Sequence, residues 1–307
     1  MTSLIEFINV SKKYSNNAKY AIENVNFNIR RGESIAYLGP NGAGKTTTCK
    51  IMTTVLYPTS GKVLFKGKDI FKNRISYLKN IGVMFGNKTK LMENISLENA
   101  LYLMCSIYGV DKKICKERLN YLTEALGISH LLKRRLREFS LGERTKSELV
   151  ASLLHSPEIL ILDEPTIGVD IISRKALYDV IKDYIKEGGT LFITSHNTED
   201  IRELAERIIL LNKGSIVFDG KYEDFVKTFS GERVMVKLTF EDPEEYKKAT
   251  SLFKNAQYYG ETLSIRMELK RNEIKKILTE ISNFIHVNIN IQEEPLEDII
   301  RRSFNAE

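Results

Sequence analysis

The octapeptide Gly39-Pro40-Asn41-Gly42-Ala43-Gly44-Lys45-Thr46 fits the pattern GxxxxGK[ST]. It lies between an apolar stretch, residues 34 to 38, that reads as a strand and a segment, Thr46 to Leu56, that reads as a helix. That context restricts the loop to few uses. Its glycines let the backbone wrap until several N–H groups point inward at the positive end of the following helix, which makes a cradle for phosphate. Lys45 is then placed to reach the β- and γ-phosphates of a nucleotide, and Thr46, with Thr47 beside it, to meet the phosphates and a Mg²⁺. A strand, a glycine loop and a helix in this order belong to a parallel sheet wrapped by helices, so the body of the chain is expected to be α/β.

Further strands are expected at 5 to 10 and 25 to 29, and two of the buried type at 159 to 162 and 190 to 194. An amphipathic stretch, Ser173 to Lys186, separates the last two, as in a crossover unit. The strand Ile159-Leu160-Ile161-Leu162 runs straight into Asp163-Glu164-Pro165, which puts two carboxylates at its C-terminal end, where open parallel sheets bind ligands. Asp163 is suited to a Mg²⁺ shell and Glu164 to orienting or deprotonating an attacking water.

Between Ser96 and Ile128 the apolar period becomes helical, with Leu97, Ala100, Leu101, Met104, Ile107 and Tyr108 on one face. A helical insert is expected, and a helical subdomain over about 88–150. Ser140, followed three residues later by Glu143, is a capping box, so a helix starts there with free N–H groups that can meet an anion.

With these elements in order the chain resembles the ATP-binding cassette (ABC) ATPases over roughly residues 3 to 220. Phe139-Ser140-Leu141-Gly142-Glu143 stands where that family has Leu-Ser-Gly-Gly-Gln, 23 residues before Asp163. The resemblance implies a P-loop NTPase fold and ATP with Mg²⁺ as its ligands. Ser140, Gly142 and Glu143 would cap the γ-phosphate held by a second subunit, and Asp170, ending Ile167-Gly168-Val169-Asp170, would belong to the loop crossing that dimer interface. His196, after the strand ending at Thr194, would contact the γ-phosphate, and Tyr14 would stack on adenine. Asn87 aligns with a loop glutamine that touches Mg²⁺ and faces the transmembrane partner, and it is one methylene shorter. The departures at Asn87, Leu141 and Glu143, together with Glu293 to Ile300, resemble the bacterial exporters of drugs, peptides and polyketides. Implied partners are a second ATPase subunit, a homodimer being expected, and integral-membrane permease chains, at the cytoplasmic face of a bacterial membrane. A soluble cassette protein acting on ribosomes, DNA or cofactor assembly is the competing class. The paired cassettes or long coiled coil that mark the ribosomal and DNA-repair types do not occur in this sequence.

After Gly220 the pattern changes to alternating strands around 234–240, 263–269 and 285–291, with a helix carrying Ile274, Ile277, Leu278 and Ile281 and a last helix opened by Pro295. The expected division is residues 1–220, a linker at 221–232, and a small α+β domain at 233–307. Composition decides a few remaining points. The charge, 46 − 40 = +6, is too mild to indicate a partner, and the basic run Lys133 to Arg137 has no interleaved aromatics, so no nucleic-acid partner is expected. Cys49, Cys105 and Cys115 form no CxxC pair and suggest neither disulfide nor zinc, which fits a reducing cytoplasm. No apolar run reaches the roughly 18 residues of a membrane span.

Overall fold

The structure, a computed structural model, describes residues 3–15, 19–86, 89–230, 233–253 and 256–305. By internal contact these fall into two units, residues 1–222 and residues 223–307.

In the first unit, β1 (Ser3–Lys12) and β2 (Ile22–Arg30) pair antiparallel, and β2 alternates buried and exposed residues. β3 (Ser34–Leu38), by contrast, is buried at every position and leads through the glycine loop into α1 (Lys45–Met52). That helix ends at Met52, short of the expected Leu56, because Thr54 turns left-handed and the N–H groups of Val55 and Leu56 fold back onto the Lys50 carbonyl. β4 (Ser60–Phe65), β5 (Lys68–Asp69), α2 (Arg74–Leu78) and β6 (Ile81–Phe85) follow.

The helical insert is a hairpin of α3 (Leu97–Tyr108) and α4 (Lys112–Ala125). Ser96 and Asp111 cap the two N-termini, and Gly109 (φ 72°) makes the left-handed turn that ends α3. The hairpin corrects the reading of the cysteines: Cys105 and Cys115, ten residues apart in the chain, sit on its facing sides with Cα atoms 6.1 Å apart and form a disulfide. A motif search along the sequence looks for close spacing, whereas the pair is made by the fold of two helices. Cys49 is free and buried. α5 (Leu141–Leu153), β7 (Ile159–Asp163), α6 (Ile171–Lys186), β8 (Thr190–Thr194), α7 (Thr198–Leu204), β9 (Arg207–Asn212) and β10 (Ser215–Lys221) complete the unit.

Its strands form two sheets, a four-stranded one in the order β2-β1-β4-β5 and a six-stranded one in the order β10-β9-β3-β8-β7-β6. In the second, β9, β3, β8, β7 and β6 are parallel and β10 is antiparallel to β9. The core between the sheets holds Phe7, Phe27, Tyr37 and Phe192, with Phe7 and Phe27 stacked at 4.4 Å. Among the described residues no helix is long and apolar enough to cross a membrane.

Residues 221–232, expected as a linker, contain α8 (Tyr222–Phe229), whose Phe225 is buried and packs on Phe229. The second unit continues with β11 (Arg233–Phe240), α9 (Pro243–Leu252), β12 (Gln257–Tyr259), β13 (Ser264–Lys270), α10 (Ile274–Ile281), β14 (Val287–Glu293) and α11 (Leu296–Asn305). Its sheet is antiparallel in the order β12-β13-β11-β14. Val234, Val236, Leu238, Phe240, Ile265 and Met267 pack on one face of it with Ala249 and Ile281 of the helices.

Candidate nucleotide site

Because β3, β7 and β8 are parallel neighbours, the loops that leave their C-terminal ends open on one edge of the sheet, and these loops carry the candidate residues. After β3, Gly42 and Gly44 adopt φ values of 80° and 112°, which a side chain would strain. A Cβ on Gly39 would lie 2.3 Å from the Leu211 carbonyl, and one on Gly44 would lie 2.4 Å from that of Ala21, so the loop fits only as glycine at both points. The Lys45 side chain curls back over this cradle: its Nζ donates to the carbonyls of Gly39 (2.7 Å) and Pro40 (3.3 Å) and lies 3.2 Å from Nε2 of His196. Burial lowers the Lys45 pKa, against the attraction of Glu164 and Asp163.

After β7, Asp163 is buried and accepts a hydrogen bond from the Thr194 hydroxyl at 2.6 Å. Glu164 stands in a left-handed conformation, φ 56°. Its N–H donates to the Thr194 carbonyl, and its Oε2 accepts from the backbone N–H of His196 at 3.1 Å. Its Oε1 is buried and accepts no hydrogen bond among the described residues, while lying 3.5 Å from His196 Nε2. Gly86, after β6, is close beneath: a Cβ there would fall 2.2 Å from the Glu164 carbonyl. A basic lysine, a histidine and a carboxylate thus converge on the mouth of a glycine cradle.

Tyr14 is 61% exposed, and its hydroxyl bonds Thr47 at 3.1 Å, which puts an open aromatic ring beside the start of α1. Thr46 is exposed. Asn87 lies outside the described residues.

The remaining candidates gather at the start of α5. Ser140 and Glu143 form the expected capping box, with the Glu143 N–H donating to Ser140 Oγ and the Ser140 N–H to Glu143 Oε2 (2.8 Å). Gly142 lies against α6: a Cβ there would be 3.2 Å from Asp170 Oδ2 and 3.0 Å from the Ser173 hydroxyl. Asp170 caps α6 through the Ser173 N–H (2.9 Å), and that bond lowers its carboxyl pKa. Two loop regions therefore share the candidate residues, one around the glycine cradle and one where α5 and α6 begin.

Sequence reasoning missed Asp200. Fully buried on α7, it accepts from Thr166 Oγ1 (2.6 Å), Ser195 Oγ (2.5 Å) and Tyr178 Oη (2.5 Å). One carboxylate thereby ties the loop after Glu164 to the loop carrying His196. A lone aspartate in a helical turn gives no local sign of this, since its partners lie up to 34 residues away in the chain.

A glycine cradle with a buried lysine after β3, and an acid at the end of β7, the next strand but one in the same parallel sheet, define a P-loop nucleotide hydrolase. The ABC transporter family profile matches residues 22–167. The lantibiotic transport ATP-binding protein SrtF of Streptococcus pyogenes is 32% identical, the match covering 72% of this chain and 92% of that protein. The bacitracin transport ATP-binding protein BcrA of Bacillus licheniformis is 31% identical over 74% of this chain and 72% of its own length. A solved ATP-binding subunit of an ABC transporter aligns at a TM-score of 0.69 and 26% identity, covering 74% of this chain and 93% of that one. The chain belongs to the ABC transporter family, as an ATP-binding and ATP-hydrolysing subunit.

Proposed function

We propose that this chain is the motor of a bacterial exporter, working as a nucleotide-sandwiched dimer that drives separate membrane-spanning chains from the cytoplasmic side of the membrane. The observation that carries the reading is the meeting of Lys45, Glu164 and His196 over the glycine cradle. SrtF is named for lantibiotic transport and BcrA for bacitracin transport, and these names support a cargo of that kind.

In this reading Gly39 to Thr47 hold the phosphates through backbone N–H groups, Lys45 adds a charge to the β- and γ-phosphates, and Tyr14 offers its exposed ring to the base. Glu164 orients the attacking water and accepts its proton through Oε1, the oxygen left without a donor. His196, fixed to Glu164 through its own backbone N–H, turns its ring toward the terminal phosphate. Ser140, Gly142 and Glu143 of the second subunit close the site over the phosphates, and Asp170 crosses the interface. Hard oxygen donors suit Mg²⁺, and with the buried Asp163 carboxylate at the end of β7 such an ion would be held by Thr46, Asp163 and the Asn87 amide together with phosphate and water. Mg²⁺ would neutralise phosphate charge as the γ-phosphate leaves.

The test is Glu164→Gln. It should keep ATP binding, slow turnover about a hundredfold or more, and trap an ATP-bound dimer visible by light scattering. A variant that hydrolyses ATP at the normal rate would mean that the water is activated elsewhere.

A further inference from the structure

β6 is an outer strand of the catalytic sheet, so the carbonyls on its free side need partners from outside the ladder. Helix α5 and the segment after β6 supply them. His155, just past the end of α5, meets the Ile81 carbonyl through Nε2 at 2.9 Å. The Val83 carbonyl accepts from Ser152 Oγ at 2.9 Å and from Lys90 Nζ at 2.8 Å, and that same ammonium donates to Ser152 Oγ at 2.6 Å. One turn back along α5, Glu148 Oε1 accepts from the Thr89 hydroxyl and from the backbone N–H groups of Lys90 (3.0 Å) and Leu91 (3.4 Å). The helix lies so close to the strand that a Cβ on Gly82 would be 2.4 Å from the Ser152 carbonyl. Partial desolvation of its ammonium pushes Lys90 down to about 8, against the pull of Glu148, while the residue as a whole stays exposed.

α5 is also the helix whose N-terminus presents Ser140. We infer that Glu148 and Lys90 are positioning residues for ATP hydrolysis, fastening α5, and Ser140 with it, to the outer strand of the sheet that carries Glu164. The inference rests on the reading of Ser140 as a group that completes the site of a second subunit. Neither residue reaches the glycine cradle of its own chain, so the seam governs the alignment of the two halves of the composite site and leaves the first binding of ATP alone. A rigid seam lets the cap arrive in register, whereas a loosened one lets α5 rock about its contact with β6 and lowers the fraction of dimers aligned for chemistry.

Glu148→Ala removes the acceptor of three donors, and Lys90→Met removes the ammonium while keeping the aliphatic stem. Each should lower kcat at least about tenfold, with the dissociation constant of the full chain for a fluorescent ATP analogue staying within about twofold of wild type. Glu148→Gln keeps a carbonyl oxygen facing the N–H groups and should recover most of the loss, which also serves if the alanine variant folds poorly. The double variant should be no slower than the slower single one, because both cut the same seam. Wild-type kcat in folded Glu148→Ala or Lys90→Met, or a loss of ATP binding in step with kcat, would overturn the inference. Ser140→Ala separates the two readings. If it turns over normally, the role of Ser140 fails and the seam has nothing to align; if it is slow while both seam variants are fast, only the seam is refuted.

Discussion

In residues 1–222 the larger sheet runs parallel over five of its six strands and is buried along β3, β7 and β8, whereas the sheet of residues 223–307 is antiparallel throughout and packs helices against one face. Both bury an apolar core, but they place loops differently. In a parallel sheet every strand ends on the same edge, so Lys45 and Glu164, which with His196 span about 150 residues, both arrive within reach of His196. In an antiparallel sheet neighbouring strands end on opposite edges, and loops from adjacent strands cannot pool their side chains in that way. Strand direction, more than composition, explains why the nucleotide chemistry collects in one unit.

The sharpest challenge to that contrast is Lys45→Ala. Removing the cradle's side-chain cation should lower hydrolysis about a thousandfold or more, as read by phosphate release from Mg·ATP, and substantial residual turnover would mean that convergence on Lys45 is not what matters. Asp200→Ala comes next. It leaves the buried hydroxyls of Thr166, Tyr178 and Ser195 without their acceptor, which should cost about 3 kcal/mol in urea unfolding and loosen Glu164 against His196, slowing turnover about tenfold. Unchanged kcat in a destabilised protein would show that the loops hold their places without it. The smallest effect is expected from deleting residues 233–307, which contain none of the nucleotide loops: ATP affinity of the remaining chain should stay within about threefold. An insoluble or non-binding product would mean that the two sheets depend on each other after all.

What could be read from residues alone follows from how local each feature is. The cradle, the acids after β7 and the capping box of α5 are each written within a few consecutive residues, and the structure places the Gly39 to Thr46 loop and the Ser140 and Glu143 cap where the pattern puts them. The alternation of the second unit likewise predicts β11, β13 and β14, displaced by one or two residues where Leu263 and His286 stay outside the strands. The disulfide between Cys105 and Cys115, the Asp200 node and the seam on β6 are made by groups that meet only after helices and loops have packed. β9 and β10 are absent from the expected strands, and α8 occupies a stretch expected as a linker because two phenylalanines one turn apart, Phe225 and Phe229, pack together there.

The left-handed backbone of Glu164 has a consequence for how this protein tolerates change. A non-glycine residue at φ 56° carries roughly 1 kcal/mol that glycine would not. Under the role proposed for Glu164, the side chain best for folding and the side chain used for chemistry differ at this position. A library of variants at position 164, selected for heat resistance without ATP, should drift toward glycine or asparagine and lose turnover as it does so. The same library selected for transport should return glutamate, so the two selections would diverge at a single codon while agreeing over most of the surrounding core.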